Sequence, residues 1–166
     1  MRFLAATLLA AALICASAVA GSSVNLSTLL KPELTKVKHK TAIPVLLPAR
    51  LPLLDKSKVY ASSSATKKGF EFDLAYAPNC FGADACFLAL FAGQKGGSLP
   101  GAANVRLAGG DRAFYKGITC GGSCSPASLW FIHDGVLYSW QDKDVGGNAK
   151  ALLVGLANQA IAAGPR

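Results

Sequence analysis

Carboxylates and histidines are scarce in this chain of 166 residues, which has nine Asp and Glu side chains and two histidines. These residue types supply most general acids, general bases and hard-metal ligands, so the composition offers little material for catalysis. The chain also lacks a G-x-S-x-G nucleophile elbow, a G-x-x-x-x-G-K-[ST] phosphate loop and a C-x-x-C redox motif. We therefore expect no catalytic residue, no metal and no cofactor.

Long apolar runs are also missing, apart from one at the N-terminus. A single arginine precedes an apolar run from Phe3 to Ala16, and small residues follow at Ala18 and Ala20. The run is shorter than the roughly 20 residues that span a bilayer, and the three-part pattern is typical of a secretory signal peptide. We expect a signal peptide over residues 1–20 that is cleaved after Ala20, leaving no transmembrane segment.

Two alternatives to cleavage remain open: a retained membrane anchor and lipid attachment at Cys15. The bulky Ile14 disfavours the second, because lipoprotein processing prefers a small residue before the cysteine. The alanine-rich leader is typical of bacteria. The predicted location is the periplasm, with secretion into the medium as the alternative.

Acidic charge is nearly absent from residues 31–68, which contain nine basic and two acidic side chains. Either this is a solvated basic surface or it contacts an anionic envelope surface. No nucleic-acid binding is expected, because no aromatic-plus-basic motif of a known module is present. The basic residues that we single out as candidate binding groups are Lys36, Lys38 and Lys40.

Four cysteines follow the leader: Cys80, Cys86, Cys120 and Cys124. An even number of cysteines in an exported chain predicts disulfides, and three pairings are possible. Short loops close at low entropic cost, which favours Cys80–Cys86 and Cys120–Cys124. Zinc binding and a labile redox ring at C-G-G-S-C are the alternatives, but neither has standard ligand or redox spacing.

The remaining pattern predicts a single domain over residues 31–163, after a loose leader over 21–30. A short helix is expected to end near Lys38 to Thr41, and a proline-rich segment, IPVLLP, should be an edge strand or an extended crossing segment. Strands follow around Val59, over GFEFDLAYA, CFLALFAG, NVRLA and RAFYKG, and in a hairpin with its turn at Asp134-Gly135. A C-terminal helix begins after Asn148, with Leu152, Leu153, Leu156 and Ala160 as its buried stripe. The fold class is therefore α+β: an antiparallel sheet with a short N-terminal helix and a C-terminal helix packed on one face.

Three groups of residues are candidates for chemistry or binding. His133 lies beside Asp134, but neighbouring strand residues point to opposite faces, so turn-flanking polarity explains the pair more simply. Asp142 and Asp144 resemble a fragment of a calcium loop without its remaining ligands. Trp130, Tyr138 and Trp140 share one hairpin, where they pack a core or line a ligand groove over the sheet.

The chain also resembles a family of exported bacterial proteins over about residues 41–161. The resemblance lies in a PVLLP opening, a C-x5-C loop, C-G-G-S-C, a W…G..Y hairpin and a final LANxAI helix. It implies no activity, because none is established for that family.

These observations predict a monomeric, non-catalytic binding or accessory module that contacts an anionic envelope surface or an envelope protein. The alternatives are a hydrolase that uses His133 with an unidentified partner residue, and a protein inhibitor that presents one of the disulfide-closed loops.

Overall fold

The structure is a computed structural model that describes residues 22–54, 57–81, 85–143 and 146–166. The predicted signal peptide and its cleavage position at Ala20 lie outside the described residues. No helix in the described ranges combines the length and the apolar character needed to cross a bilayer.

Eleven strands are described, and seven of them form the main sheet. In chain order they are β1 (Ser22–Asn25), β2 (Arg50–Leu53), β3 (Tyr60–Thr66), β4 (Gly69–Ala75), β5 (Phe87–Lys95), β6 (Val105–Arg106), β7 (Arg112–Lys116), β8 (Thr119–Cys120), β9 (Cys124–Ser125), β10 (Ala127–His133) and β11 (Val136–Asp142). The main sheet has the order β3-β4-β5-β11-β10-β7-β6, while β1-β2 and β8-β9 form separate pairs. Every pairing between these strands is antiparallel. The predicted fold class is confirmed.

The hairpin of β10 and β11 has the predicted turn. Asp134 and Gly135 have φ values of 49° and 73°, and a primed two-residue turn requires positive φ at both positions. This turn fixes the register, which places Trp130 opposite Ser139 and Leu129 opposite Trp140. Successive residues therefore alternate between an inner face, which carries Trp140, and an outer face, which carries Trp130.

The core lies on the inner face of the sheet. Phe72, Phe91, Trp140 and Leu129 are paired across neighbouring strands, and none of them is exposed to solvent. The Trp140 ring lies edge-on to Phe91 and Phe131, with 5.3 Å between centroids in both pairs. Such aromatic contacts stabilise the fold beyond the burial of apolar surface. This row of buried residues is therefore the centre of the core.

Three helices are described: α1 (Leu26–Leu29), α2 (Lys31–Lys40) and α3 (Ala149–Ala163), the last preceded by a 3-10 turn over Gly146–Asn148. The long helix α3 packs on β10 and β11, and α2 packs on β3. Ser63, on the inner face of β3, donates a hydrogen bond of 2.6 Å to Glu33 of α2. Both longer helices therefore cover the same face, as predicted.

The ends of α3 agree with the predicted boundaries, although its cap does not form the expected bond. Asn148 occupies the N-cap position, but its side chain makes no capping hydrogen bond. Gly164 ends the helix with φ of 75°, a conformation that favours glycine. The buried side of α3 is formed by Ala149, Leu153, Leu156, Ala157 and Ala160, with Leu152 partly buried.

The proline-rich segment is the predicted extended crossing segment and runs under the inner face. Val45, Leu46 and Leu47 are buried there. The Tyr138 hydroxyl donates a 2.9 Å hydrogen bond to the carbonyl of Pro44. Burial, and to a lesser extent the charge of Asp134, raises the pKa of Tyr138 to about 12, so the phenol stays neutral as a donor.

The loose leader expected over residues 21–30 is not observed; this part is built into the fold from Ser22 onward. β1 pairs with β2, and Asn25 caps α1 by accepting a 3.1 Å hydrogen bond from the Thr28 amide. Leu26 and Leu30 are buried, with 1% and 0% exposure. The short polar stretch suggested a flexible segment, but two leucines four residues apart anchor it to the core.

Candidate functional site

The four cysteines form two local pairs, Cys80–Cys86 and Cys120–Cys124. The first closes the connection between β4 and β5, where the Tyr76 amide also donates to the Cys86 carbonyl at 2.9 Å. The second joins β8 to β9 in a hairpin whose residues 119–125 are all exposed. Of the three possible pairings, the structure contains the one that loop length favours.

His133 is held between two carboxylates. Its Nδ1 lies 2.7 Å from Asp111 Oδ2, and its Nε2 lies 3.5 Å from Asp134 Oδ2. Asp111 belongs to the turn between β6 and β7, so the contact ties that turn to the β10–β11 hairpin. The contact with Asp111 is the closer of the two, because Asp134 is 82% exposed and lies at the limit of hydrogen-bond distance.

The structure shows no group of three or more metal-ligating side chains in its described ranges. Asp142 is buried at the end of β11, with 1% exposure. Asp144, its predicted neighbour in a calcium-like loop, lies outside the described residues.

The three candidate aromatic residues of the hairpin divide between the two faces. Tyr138 and Trp140 are buried on the inner face, with 1% and 0% exposure, and pack the core. They are not accessible to a ligand. Trp130 is on the outer face, where it is partly exposed and lies 5.8 Å from Phe114, centroid to centroid.

A groove, which we call the outer trough, crosses the outer face beside Trp130. Cross-strand pairing places Trp130, Ser139, Ala92, Glu71 and Ser64 in one row over five strands. The small residues Ser139 and Ala92 form the floor between Trp130 and Glu71. The trough has a volume of about 480 Å³, and Thr66, Lys68, Gln94 and Leu137 also line it.

Part of the outer face beside the trough is covered by the connection between β5 and β6. A Cβ atom added at Gly97 would lie 2.7 Å from Leu137 Cδ2, and one at Gly101 would lie 2.9 Å from Phe114 Cε2. The glycines therefore let this connection lie directly on the sheet. The connection covers Leu137 of β11, whereas Ser64 and Glu71 on the outer face are exposed and Ser139 is partly exposed.

Lysines from three segments converge at one end of the sheet. The amide of Ala42, just beyond α2, lies 3.4 Å from the Lys67 carbonyl, and the Lys95 amide donates to the Lys68 carbonyl at 2.9 Å. These backbone contacts bring the last turn of α2, the β3–β4 turn and the end of β5 together. We call this group the basic end; its members are Lys38, Lys40, Lys67, Lys68 and Lys95.

The basic end is exposed, and none of its lysines forms an ion pair within the described part of the chain. Lys36 differs, because its Nζ lies 2.7 Å from Glu33 Oε1. That contact and the Ser63 hydroxyl lower the pKa of Glu33. Of the three predicted binding lysines, Lys38 and Lys40 belong to the basic end, and Lys36 is neutralised by its neighbour.

Sequence reasoning missed the contributions of Lys95 and Glu71. Lys95 lies 27 positions beyond Lys68, the end of the basic stretch, and no candidate role was predicted for Glu71. Strand pairing, which composition does not reveal, brings both residues into these groups. The register of the β10–β11 hairpin was available from its turn and already placed Ser139 opposite Trp130.

Comparison with known proteins found no matching family model, no matching curated protein and no matching solved structure.

Proposed function

We propose that this chain is exported by a bacterium and acts as a non-catalytic binding module of the cell envelope, attached to an anionic lipid surface through the basic end. The observation that carries the proposal is the convergence of five exposed, unpaired lysines from segments far apart in the sequence. Lysines that serve only as a solvated basic surface, the alternative, do not need to gather at one place.

Export is supported by the leader pattern of residues 1–20 and by the two disulfides, which persist in oxidising compartments. A cytoplasmic location would keep all of the thiols reduced.

Attraction between the basic end and the surface follows from elementary electrostatics. Each lysine near an anionic leaflet contributes about 1 kcal/mol, and salt screens the interaction over about 8–10 Å at physiological ionic strength. Among the described residues, neither Glu71, which lines the trough together with Lys68, nor Asp134, which contacts His133, forms an ion pair with a lysine of the basic end. A flat surface can therefore meet several of the lysines together.

Export predicts a defined mass for the protein isolated from its native host. Intact mass spectrometry should find a chain that begins at Gly21 and gains about 4 Da on reduction, because two disulfides each take up two hydrogens. Treatment with an alkylating reagent before reduction serves as the control and should add nothing. A retained leader or four alkylated thiols would contradict export into an oxidising space.

Surface attachment predicts salt-sensitive binding of the mature chain to vesicles that contain phosphatidylglycerol, and none to pure phosphatidylcholine. The triple variant K38Q/K67Q/K95Q should bind roughly a hundredfold more weakly at low salt, since three lysines leave the interface. Cosedimentation at low and high salt measures both effects.

The matched control is K31Q/R106Q/K116Q, which removes the same number of positive charges outside the basic end. It should retain binding to within about threefold, because distant exposed charges are screened. Equal losses in both triple variants would show that net charge alone is responsible. Undiminished binding by K38Q/K67Q/K95Q would reject the basic end as the contact surface.

A further inference from the structure

The outer trough combines an aromatic wall with polar groups that the protein itself does not use. Across the described residues, the side chains of Ser64, Glu71, Gln94 and Ser139 make no hydrogen bond or ion pair. Phe114 supports Trp130 from β7, the strand beyond β10, and holds the indole at the edge of the groove. An aromatic face with several uncommitted donors and acceptors is characteristic of a ligand site.

The charge of the trough indicates a neutral ligand. Its charged lining residues are one cation, Lys68, and one carboxylate, Glu71. Glu71 would repel a strongly anionic ligand, and Lys68 would repel a cationic one. The hydroxyl and amide groups of Ser64, Thr66, Gln94 and Ser139 instead match a ligand with many hydroxyls of its own.

The dimensions and polarity also exclude a purely apolar occupant. Trp130 and Glu71 are three strands apart, which corresponds to about 14 Å across a sheet. The floor between them is small and partly polar, being formed by Ser139 and Ala92. Such a floor leaves room for flat, polar rings, whereas a lipid chain would leave the polar groups of the trough without partners.

We propose that the outer trough binds a neutral oligosaccharide. The C–H face of one sugar ring packs on the Trp130 indole. The Glu71 carboxylate accepts a hydrogen bond from a hydroxyl of the neighbouring ring, and the Gln94 amide donates one to it. This site is separate from the basic end, which is formed by different side chains except for Lys68. It adds glycan recognition to the surface attachment proposed above and does not depend on it.

The experiment uses the mature chain and an array of immobilised neutral and anionic oligosaccharides, followed by titration of the bound neutral sugars in solution. The sequence contains two tryptophans, and Trp140 is fully buried, so a change in indole fluorescence on titration reports mainly on Trp130. We expect saturable binding of at least one neutral oligosaccharide.

Two substitutions test the walls of the trough, and two serve as matched controls. Trp130→Ala and Glu71→Gln should each weaken binding roughly tenfold or more, because each removes a principal contact. Trp130→Phe, which keeps a flat ring, and Asp134→Asn, which neutralises an exposed carboxylate elsewhere, should stay within about threefold. Glu71 is exposed, so Glu71→Gln should not disturb folding and remains informative if Trp130→Ala does not fold.

Three outcomes would overturn the proposal: no neutral oligosaccharide bound by the folded chain at millimolar concentration, binding that Trp130→Ala and Glu71→Gln leave unchanged, or binding confined to anionic sugars. The variant K38Q/K67Q/K95Q distinguishes the two proposals. It should lose vesicle binding and keep the affinity for the neutral sugar, so either activity can fail without the other.

Discussion

Trp140→Ala is expected to destabilise the protein by about 3–5 kcal/mol, the range found when large buried aromatics are truncated. The Trp140 side chain is completely buried at the centre of the inner face, between Phe91 and Phe131. Its removal leaves a cavity that α3 and the sheet cannot fill without moving. Because small domains have about 5–15 kcal/mol of stability in total, this loss is a large fraction.

The matched variant is Trp130→Ala, which makes the same change in the neighbouring strand but on the opposite face. Trp130 is partly exposed and packs mainly on Phe114, so its removal should cost only about 1–2 kcal/mol. Urea denaturation followed by circular dichroism compares the two without relying on tryptophan fluorescence. Equal losses would mean that the assignment of the inner and outer faces is wrong.

The double variant L26A/L30A is expected to have the largest effect, a destabilisation of about 4–8 kcal/mol, because each buried leucine contributes about 2–4. Both side chains lie at 1% exposure or less in the segment expected from the sequence to be loose. The β1–β2 pair depends on the same anchor, since the Leu26 amide donates to the Ala49 carbonyl at 3.0 Å. Thermal and urea unfolding of the protein would measure the loss.

Leu54→Ala provides the control for leucine truncation, because Leu54 is 72% exposed. Its effect should stay within about 0.5 kcal/mol. If L26A/L30A were equally mild, the N-terminal segment would not be part of the cooperative fold, and a loose leader would be the better description.

The two proposed sites use different properties of the same sheet. Attachment through the basic end depends on charge and weakens with salt, whereas the outer trough depends on contact and hydrogen bonding and should be much less sensitive to salt. A ligand in the trough would meet Lys68, which also belongs to the basic end. Lys68 therefore remains unchanged in the triple variant.

Local patterns in the sequence predicted the elements well where the physics is local. Alternation along GFEFDLAYA places Phe70, Phe72, Leu74 and Tyr76 on one face; the first three are buried, and Tyr76 is partly buried. The Asp134-Gly135 turn determined both the existence and the register of the last hairpin. The N-terminal segment was misjudged because small and polar residues precede Leu26, and the position of that leucine depends on a distant contact with Ala49.

The sequence by itself determined the class of the fold, the short disulfide loops and the last hairpin with its turn, since alternation and turn chemistry act over a few residues. Only the tertiary structure decided that β11 pairs with β5 and β5 with β4, which sets Glu71 across the trough from Trp130, and that Lys95 joins Lys67 and Lys68. Alternation fixes which face a side chain occupies. It does not choose the neighbouring strand, because backbone hydrogen bonds are the same for any sequence and the partner is selected by packing over the whole core.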